Sequence, residues 1–265
     1  MSLNYKRFGE GPPLLILHGL YGAGDNWLNI GKNLADKFTV YLIDQRNHGR
    51  SPHLASHTYY DMSEDLHNLV KQQNLVNFNI LGHSMGGKVG ITYALKYPGF
   101  VSNLVNVDIS PFSYIDQADF LEQINYHKLI IDTFKNAPID SATSRKEIED
   151  FFVQRITDEP TRKFLLKNLK RDKTGIFHWK INLDAISKNL ESIIDAAPPV
   201  KLGAISFIPT MFIRGCKSPY LSKEHIEAIP DVFPNAKFTE FENSGHWLHA
   251  EEPERFIEIV KTFLS

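Results

Sequence analysis

The stretch F-N-I-L-G-H-S-M-G-G at residues 78–87 combines an apolar run with a glycine-rich turn. The run at 78–81 predicts a buried strand, and a helical pattern over about 86–97 follows it directly. The turn between them matches G-x-S-x-G, in which flanking glycines permit a sharp strand-to-helix turn that exposes the serine hydroxyl. Ser84 is therefore the predicted nucleophile, at a helix N-terminus whose dipole favours developing negative charge. A structural serine in a glycine-rich turn is the alternative.

Short apolar strands alternate with helical patterns on both sides of this stretch. Continuous apolar runs between helices are typical of a parallel sheet that is covered on both faces. We predict strands at 14–17, 39–44, 78–81, 104–108, 207–213 and 237–241, and helices at about 27–36, 61–73, 86–97 and 222–229 and from Pro253. This order predicts an α/β architecture, with a mostly parallel central sheet flanked by helices.

A block with a different pattern interrupts this alternation. From Pro111 to about Leu202 the sequence has mostly helical periodicity. We therefore expect a helical cap inserted at 111–202, while 1–110 and 203–265 form the α/β core.

The composition is that of a globular chain of 265 residues. With 42% apolar and 23% charged residues, the chain can bury a sizeable core. A net charge of −2 argues against a nucleic-acid surface, and no run approaches the roughly 18 apolar residues of a membrane span. One cysteine excludes an internal disulfide, and the first residues lack the apolar stretch of a signal peptide. We expect a cytoplasmic protein with a small-molecule partner, and the sequence does not indicate its oligomeric state.

Position along the chain singles out one of the 11 histidines. His246 lies in N-S-G-H-W, between the last predicted strand and the last predicted helix. In a parallel sheet such a loop lies beyond the carboxyl ends of the strands, on the same side as Ser84. Because a serine hydroxyl needs a base to act as a nucleophile, His246 is the predicted base and His249 the alternative. His18 and His83 fall within other motifs, where packing or hydrogen bonding is the more ordinary role.

Acyl transfer also needs hydrogen-bond donors for the oxyanion. H-G-L-Y-G at 18–22 follows a predicted strand and is suited to presenting a backbone N–H. The predicted pair is the N–H of Leu20 and that of Met85, the residue after the nucleophile. An ordinary glycine turn is the alternative for Leu20. No cluster of histidine, cysteine and carboxylate residues has metal-ligand spacing, so no metal or cofactor is expected.

Several motifs resemble the α/β-hydrolase superfamily of serine hydrolases. They are H-G at 18–19, D-Q-R-N-H-G-R-S-P at 44–52, G-H-S-M-G-G at 82–87 and S-G-H at 244–246, in that family's order and approximate spacing. The family's acid usually follows the next-to-last strand as G-x-x-D, whereas G-C-K-S here puts Ser218 in that place. Two further motifs, V-D-I-S-P at 107–111 and W-K-I-N-L-D-A-I at 179–186, resemble more narrowly the YbfF-type esterases and their eukaryotic relatives.

The narrower resemblance implies that the acid stands one strand earlier, at Asp108 of V-D-I-S-P. Sequence position supports this, because Asp108 ends a strand next to that of Ser84 and would project at the same edge of the sheet. The chain order Ser84, Asp108, His246 is also the nucleophile–acid–base order of this fold. Asp44 ends a strand too, but it precedes the nucleophile, so we predict a structural loop there. Ser218 is then either an orienting fourth member or a plain turn residue.

The resemblance implies a carboxylesterase or thioesterase for short-to-medium acyl groups, with acyl-CoA among the candidate substrates. His246 would take the proton of Ser84, the N–H groups of Leu20 and Met85 would hold the oxyanion, and water would release the acyl group. Six basic residues at 162–173 form either a solvated helix face or a phosphate contact for a CoA-type leaving group. A carbon–carbon hydrolase or a perhydrolase could share this triad. A non-catalytic small-molecule receptor is the alternative from a different class.

The cap is expected to supply the acyl pocket. Its candidate wall residues are Phe112, Tyr114 and the apolar faces around Phe120 and Ile124. Core packing is the more ordinary role for most of them.

Overall fold

The computed structural model describes residues 2–115 and 120–265, and the side chain of Phe120 lies outside what it describes. The strands in chain order are β1 (Tyr5–Phe8), β2 (Pro13–Leu17), β3 (Thr39–Ile43), β4 (Phe78–His83), β5 (Val101–Val107), β6 (Leu169–Arg171), β7 (Phe177–Trp179), β8 (Thr210–Gly215) and β9 (Ala236–Phe241). The helices are α1 (Leu28–Leu34), α2 (Tyr59–Gln72), α3 (Met85–Lys96), α4 (Phe120–Asn136), α5 (Arg145–Val153), α6 (Glu159–Leu165), α7 (Leu183–Lys188), α8 (Leu190–Ile194), α9 (Pro198–Lys201), α10 (Lys223–Ala228), α11 (Leu248–Glu251) and α12 (Pro253–Leu264). Within residues 2–115 and 120–265, no helix combines the length and apolar composition needed to cross a bilayer.

Seven strands form one sheet in the order β1-β3-β2-β4-β5-β8-β9. Only β1 is antiparallel to its neighbour, and the other six strands are parallel. The predicted α/β fold with a mostly parallel sheet is therefore confirmed. The sequence analysis did not predict β1, because Y-K-R-F is an edge strand with two exposed central residues and lacks an apolar run.

Both faces of this sheet are buried, because successive side chains of a strand point to opposite faces. In β2, Leu15 and Leu17 belong to one hydrophobic cluster, whereas Leu14 and Ile16 belong to the other. Helices α2 and α3 pack in the first cluster, and α1 and α12 pack in the second. This double coverage explains the continuous apolar runs of the strands, and it leaves the carboxyl edge of the sheet as the place for polar chemistry.

Residues 111–202, as far as the structure describes them, contain α4 to α9 and the two-stranded sheet of β6 and β7. We expected mostly helices here, and the two strands differ from that expectation. Each has three residues, which is too short for a period-two pattern to be recognised in the sequence. The turn between them is held by Asp172, whose carboxylate accepts the N–H groups of Thr174 and Ile176 at 2.9 and 3.0 Å. We propose that this block is a cap over the site and name it the cap block.

Lys88 joins the cap block to the core. Its side chain lies on α3 and is fully buried. The ammonium group donates to the carbonyl oxygens of Phe112, Ile194 and Asp195 at 3.1, 3.2 and 2.5 Å. These carbonyls belong to the segments where the chain enters and leaves the cap block. Lys88 therefore connects both segments to α3, the helix that follows Ser84.

The buried position of Lys88 predicts how stability depends on pH. Burial lowers the pKa of Lys88 to about 7, with a smaller contribution from the charge of Lys201 and an opposing one from Asp195. An unfolded lysine has a pKa of about 10.4. Between these values the unfolded chain holds a proton that the folded chain has released. The free energy of unfolding should therefore rise with pH in this window, by up to about 1.4 kcal/mol per pH unit from this group.

The Lys88→Met variant lacks this group, so the stability difference between wild type and variant should increase from pH 7 to about pH 10. Urea denaturation at each pH unit measures the difference. Lys170→Met removes an exposed lysine and controls for the loss of one charge. A difference between wild type and Lys88→Met that does not change with pH would contradict the prediction.

Candidate active site

The turn at Ser84 is a strained strand-to-helix junction. β4 ends at His83, α3 begins at Met85, and Ser84 between them has φ 53° and ψ −121°. Non-glycine residues rarely adopt positive φ, and such strain concentrates at functional sites. Glycine is needed nearby, because a Cβ on Gly86 would lie 2.3 Å from the carbonyl oxygen of Leu17. The turn presents Ser84, partly exposed, at the carboxyl edge of the sheet.

The carboxylate of Asp108 lies fully buried just beyond β5 and accepts three hydrogen bonds. Its Oδ1 accepts the N–H of Gly215 at 3.0 Å. Its Oδ2 accepts the Ser218 hydroxyl and the ring N–H of His246, the latter at 2.7 Å between Nδ1 and Oδ2. Gly215 ends β8, and Ser218 lies in the turn that follows. The motifs predicted that related proteins often have their acid in this turn; here the turn provides hydrogen-bond donors to Asp108 instead.

The contact with Asp108 determines the tautomer of His246, and neighbouring groups determine the orientation of its ring. A carboxylate can only accept, so Nδ1 carries the proton and Nε2 of a neutral ring is left as an acceptor. The ring packs against Tyr220, with centroids 4.3 Å apart, and against His83, with centroids 4.6 Å apart. His83 also donates from Nε2 to the carbonyl oxygen of His246 at 2.8 Å. The imidazole is thus held in one orientation by its acid partner, two rings and its own backbone.

Ser84 and His246 line the same cavity, which has a volume of about 810 Å³. No hydrogen bond joins the Ser84 hydroxyl to the His246 ring in the described part of the chain. Contacts of this kind are often long in unliganded sites and shorten when substrate binds.

The N–H groups of Leu20 and Met85 are available as donors. Met85 is the first residue of α3, so its N–H has no partner within the helix. Within residues 2–115 and 120–265, neither N–H has a hydrogen-bond acceptor. Both residues and Ser84 line a second, small cavity of about 30 Å³. The predicted oxyanion donors therefore lie beside the predicted nucleophile.

Buried neutral histidines hold the loop that carries Leu20. His18 accepts the N–H of Gln45 at 3.0 Å, and His48 accepts the N–H of Tyr21 at 3.2 Å. Burial lowers the pKa of His18 and lowers that of His48 further, so both rings are neutral and able to accept. These contacts give His18 the structural role that we predicted for it.

The alternative site residues have structural partners. His249 stacks on Trp27, with ring centroids 4.1 Å apart, and burial lowers its pKa to about 3. The Asp44 carboxylate accepts the N–H groups of Gly24 and Arg50 at 2.8 and 2.9 Å. Neither side chain contacts Asp108 or His246 through a hydrogen bond in the described residues. Among those residues, no group of three or more histidine, cysteine or carboxylate side chains is arranged to hold a metal ion.

Of the predicted pocket residues, Tyr114 lines the small cavity, whereas Phe112 and Ile124 line neither cavity at Ser84. Phe112 packs near His225 instead, with ring centroids 6.2 Å apart. Ile124 is buried in the core of the cap block. The contribution of Phe120 falls outside the described side chains.

Sequence reasoning missed His127 on α4, which lines both cavities. Its Nδ1 lies 3.3 Å from the Tyr21 hydroxyl, and burial lowers its pKa to about 4. A helix of apolar residues at 124, 130 and 131 places position 127 on the same face, which is the signal that could have identified this histidine.

Comparisons with known proteins identify the family and the fold of this chain. The family described as alpha/beta hydrolase fold matches residues 12–129 and 124–253. The chain is 36% identical over 270 residues to the sn-1-specific diacylglycerol lipase ABHD11 of Danio rerio. The match covers 100% of this chain and 83% of that protein. It is 26% identical over 253 residues to the esterase YbfF of Escherichia coli K12, covering 96% and 93%. A solved structure titled marine microorganism esterase has a TM-score of 0.93 and 42% identity, covering 99% of both chains. The resemblance inferred from the motifs is confirmed.

The geometry of the turn predicts that Gly86→Ala is destabilising, because the added Cβ would collide with backbone that cannot move independently of β2. We expect a loss of about 2–3 kcal/mol in the free energy of unfolding, measured by urea denaturation. Gly99→Ala is the matched control, since a Cβ there meets nothing within 4 Å, and it should change stability by less than about 0.5 kcal/mol. Equal stability of the two variants would contradict this account of the turn.

Proposed function

The chain belongs to the α/β-hydrolase family as an esterase/lipase-type hydrolase, and on that premise we propose that it is a serine hydrolase with a triad of Ser84, Asp108 and His246. The observation that carries the proposal is the 2.7 Å contact between His246 Nδ1 and the buried Asp108 carboxylate, at the cavity that Ser84 lines. This contact leaves Nε2 as the ring's free acceptor, which is the state that a general base requires.

The proposed reaction passes through an acyl-enzyme. His246 takes the proton of Ser84 as the hydroxyl attacks the ester carbonyl, and the N–H groups of Leu20 and Met85 donate to the oxyanion. His246 then protonates the leaving oxygen or sulfur, and water attacks the acyl-enzyme by the same steps. Asp108 holds the tautomer and stabilises the imidazolium, and Ser218 positions Asp108 through its hydrogen bond.

The leaving group is proposed to include thiols such as CoA, because an unpaired cation lies on the wall of the large cavity. Lys167 is exposed, lines this cavity and forms no ion pair with the described residues. The other charged groups there have partners: Lys163 pairs with Glu159 at 2.6 Å, and Glu251 accepts the N–H of Gly245 at 3.0 Å. Lys167 is thus the cavity's available contact for a phosphate.

Substitution of the triad tests the proposed chemistry. With p-nitrophenyl acetate, Asp108→Asn should lower kcat by about three to four orders of magnitude, because the tautomer of His246 is no longer held. Ser84→Ala should abolish both turnover and labelling by a fluorophosphonate probe. Ser218→Ala should lower kcat by about tenfold, since it removes one hydrogen bond to a carboxylate, and Ser218→Thr should restore it.

The double variant Asp108→Asn/Ser218→Asp tests the position of the acid independently. A carboxylate at 218 would stand beside the oxygen of residue 108 that contacts His246, so we expect at least about tenfold recovery over Asp108→Asn. Near-wild-type activity of Asp108→Asn would move the acid elsewhere. A wild-type protein that neither labels nor turns over any ester would favour a small-molecule receptor. Turnover only of carbon–carbon bonds or with peroxide would favour the other hydrolase alternatives.

The thioester proposal predicts a substrate-dependent effect of Lys167→Ala. With acetyl-CoA, KM should rise by about fivefold at low salt and by less at high salt, because an exposed charge pair contributes about 1 kcal/mol and is screened. With p-nitrophenyl acetate, KM should not change. Lys170→Ala is the matched control, because Lys170 is exposed in the same basic segment but does not line the cavity. Equal effects of the two variants, or no hydrolysis of acetyl-CoA, would overturn the thioester proposal.

A further inference from the structure

The two cavities at Ser84 differ greatly in size, and the difference bears on the substrate. We infer that the site selects acetyl and propionyl groups carried by large alcohols or thiols. This inference rests on the proposed serine-hydrolase function, which supplies the direction in which the leaving group departs.

His246 identifies the side on which the leaving group lies. In the proposed reaction this histidine protonates the departing oxygen or sulfur, so the leaving group must lie on the side of the imidazole. His246 and its neighbour Trp247 line the large cavity, and neither of them lines the small one. Ser84 and the donor residue Leu20 line both cavities, whereas the other donor residue, Met85, lines only the small one. The acyl group therefore enters the small cavity, and the leaving group occupies the large one.

The volumes determine what each side can hold. The large cavity measures about 810 Å³, which is in the range of cavities that enclose whole small-molecule ligands. The small cavity measures about 30 Å³. This is less than a twentieth of the volume of the large cavity. The small cavity therefore favours the shortest acyl groups, acetyl and propionyl, whereas a longer chain would have to displace part of its wall.

The wall of the small cavity is held by hydrogen bonds. Tyr59 on α2 donates its hydroxyl to the carbonyl oxygen of Ile193 at 2.5 Å. Lys88 donates to the carbonyl oxygen of Ile194 at 3.2 Å. Tyr114 donates to the carbonyl oxygen of Tyr220 at 2.5 Å. Tyr59, Ile193, Ile194 and Tyr114 all line the cavity, so this part of its wall consists of residues whose backbone or hydroxyl groups are already held.

Ile193 is the side chain whose truncation should enlarge the acyl side with least damage to this network. It is 7% exposed, and its hydrogen bond to Tyr59 is made by its backbone carbonyl, which alanine keeps. Ile186 is the matched control in the cap block, because it is fully buried and lines neither cavity.

The test is the dependence of kcat/KM on acyl length, measured with p-nitrophenyl acetate, propionate, butyrate, hexanoate and octanoate. For wild type we expect acetate or propionate to be best and hexanoate to be at least about tenfold poorer, since a longer chain overfills a packed space. Ile193→Ala should raise the hexanoate-to-acetate ratio by about tenfold, and Ile193→Val by less. Ile186→Ala should leave the ratio unchanged, whatever its effect on stability.

The outcomes separate this inference from the proposed function. A wild-type profile that is flat or rises towards octanoate overturns the inference, while labelling and turnover at Ser84 still support the hydrolase. Failure with every ester, together with no fluorophosphonate labelling, overturns the proposed function instead. An equal change of the ratio in Ile193→Ala and Ile186→Ala removes Ile193 from the acyl side. If Ile193→Ala does not fold, the wild-type profile and Ile193→Val still decide the question.

Discussion

The buried carboxylate of Asp108 is the constraint on which the rest of the site depends. A charge enclosed in protein is tolerated only when donors surround it, and loss of a partner typically costs about 3–5 kcal/mol. Here the three donors come from Gly215 at the end of β8, Ser218 in the turn after it and His246 in the loop after β9, all far along the chain from β5. To satisfy this one group, the turn after β8 and the loop after β9 must meet at the same edge of the sheet. The position of His246, the predicted base, follows from the need of the buried Asp108 carboxylate for hydrogen-bond donors.

The core and the cap block contribute different properties to the site. The core supplies the proposed chemistry, because the turn at Ser84 and the Asp108–His246 contact use strand ends of the large sheet. The cap block is inferred to select the acyl size, because Ile193 and Ile194 line the small cavity at Ser84 while Phe164 and Lys167 line the large one. The Lys88 ammonium couples the two regions. Burial lowers its pKa to about 7, because the charged form loses its hydration in the interior.

The histidines show that residue type alone does not determine the role of a side chain. Composition could not single out a candidate base among 11 histidines, and the predicted base, His246, was identified by its loop position. Several other histidines are buried and neutral in the structure. His18 and His48 accept backbone N–H groups, and His83 donates to the carbonyl oxygen of His246. Burial lowers the pKa values of these rings because the charged form loses hydration. These environments depend on contacts across the fold, which no local pattern in the sequence contains.

The sequence by itself determined the fold class and the positions that carry the predicted chemistry. Strand periodicity, glycine spacing around Ser84 and chain order are local or ordinal properties, so they can be recognised without coordinates. Only the tertiary structure decided that Ser218 donates to Asp108, that His127 lines both cavities and that these cavities differ greatly in volume. It also contains the three-residue strands β6 and β7, which are too short to have a recognisable period. Distances and volumes of this kind arise when segments far apart in the chain pack together, and packing is decided by the whole fold.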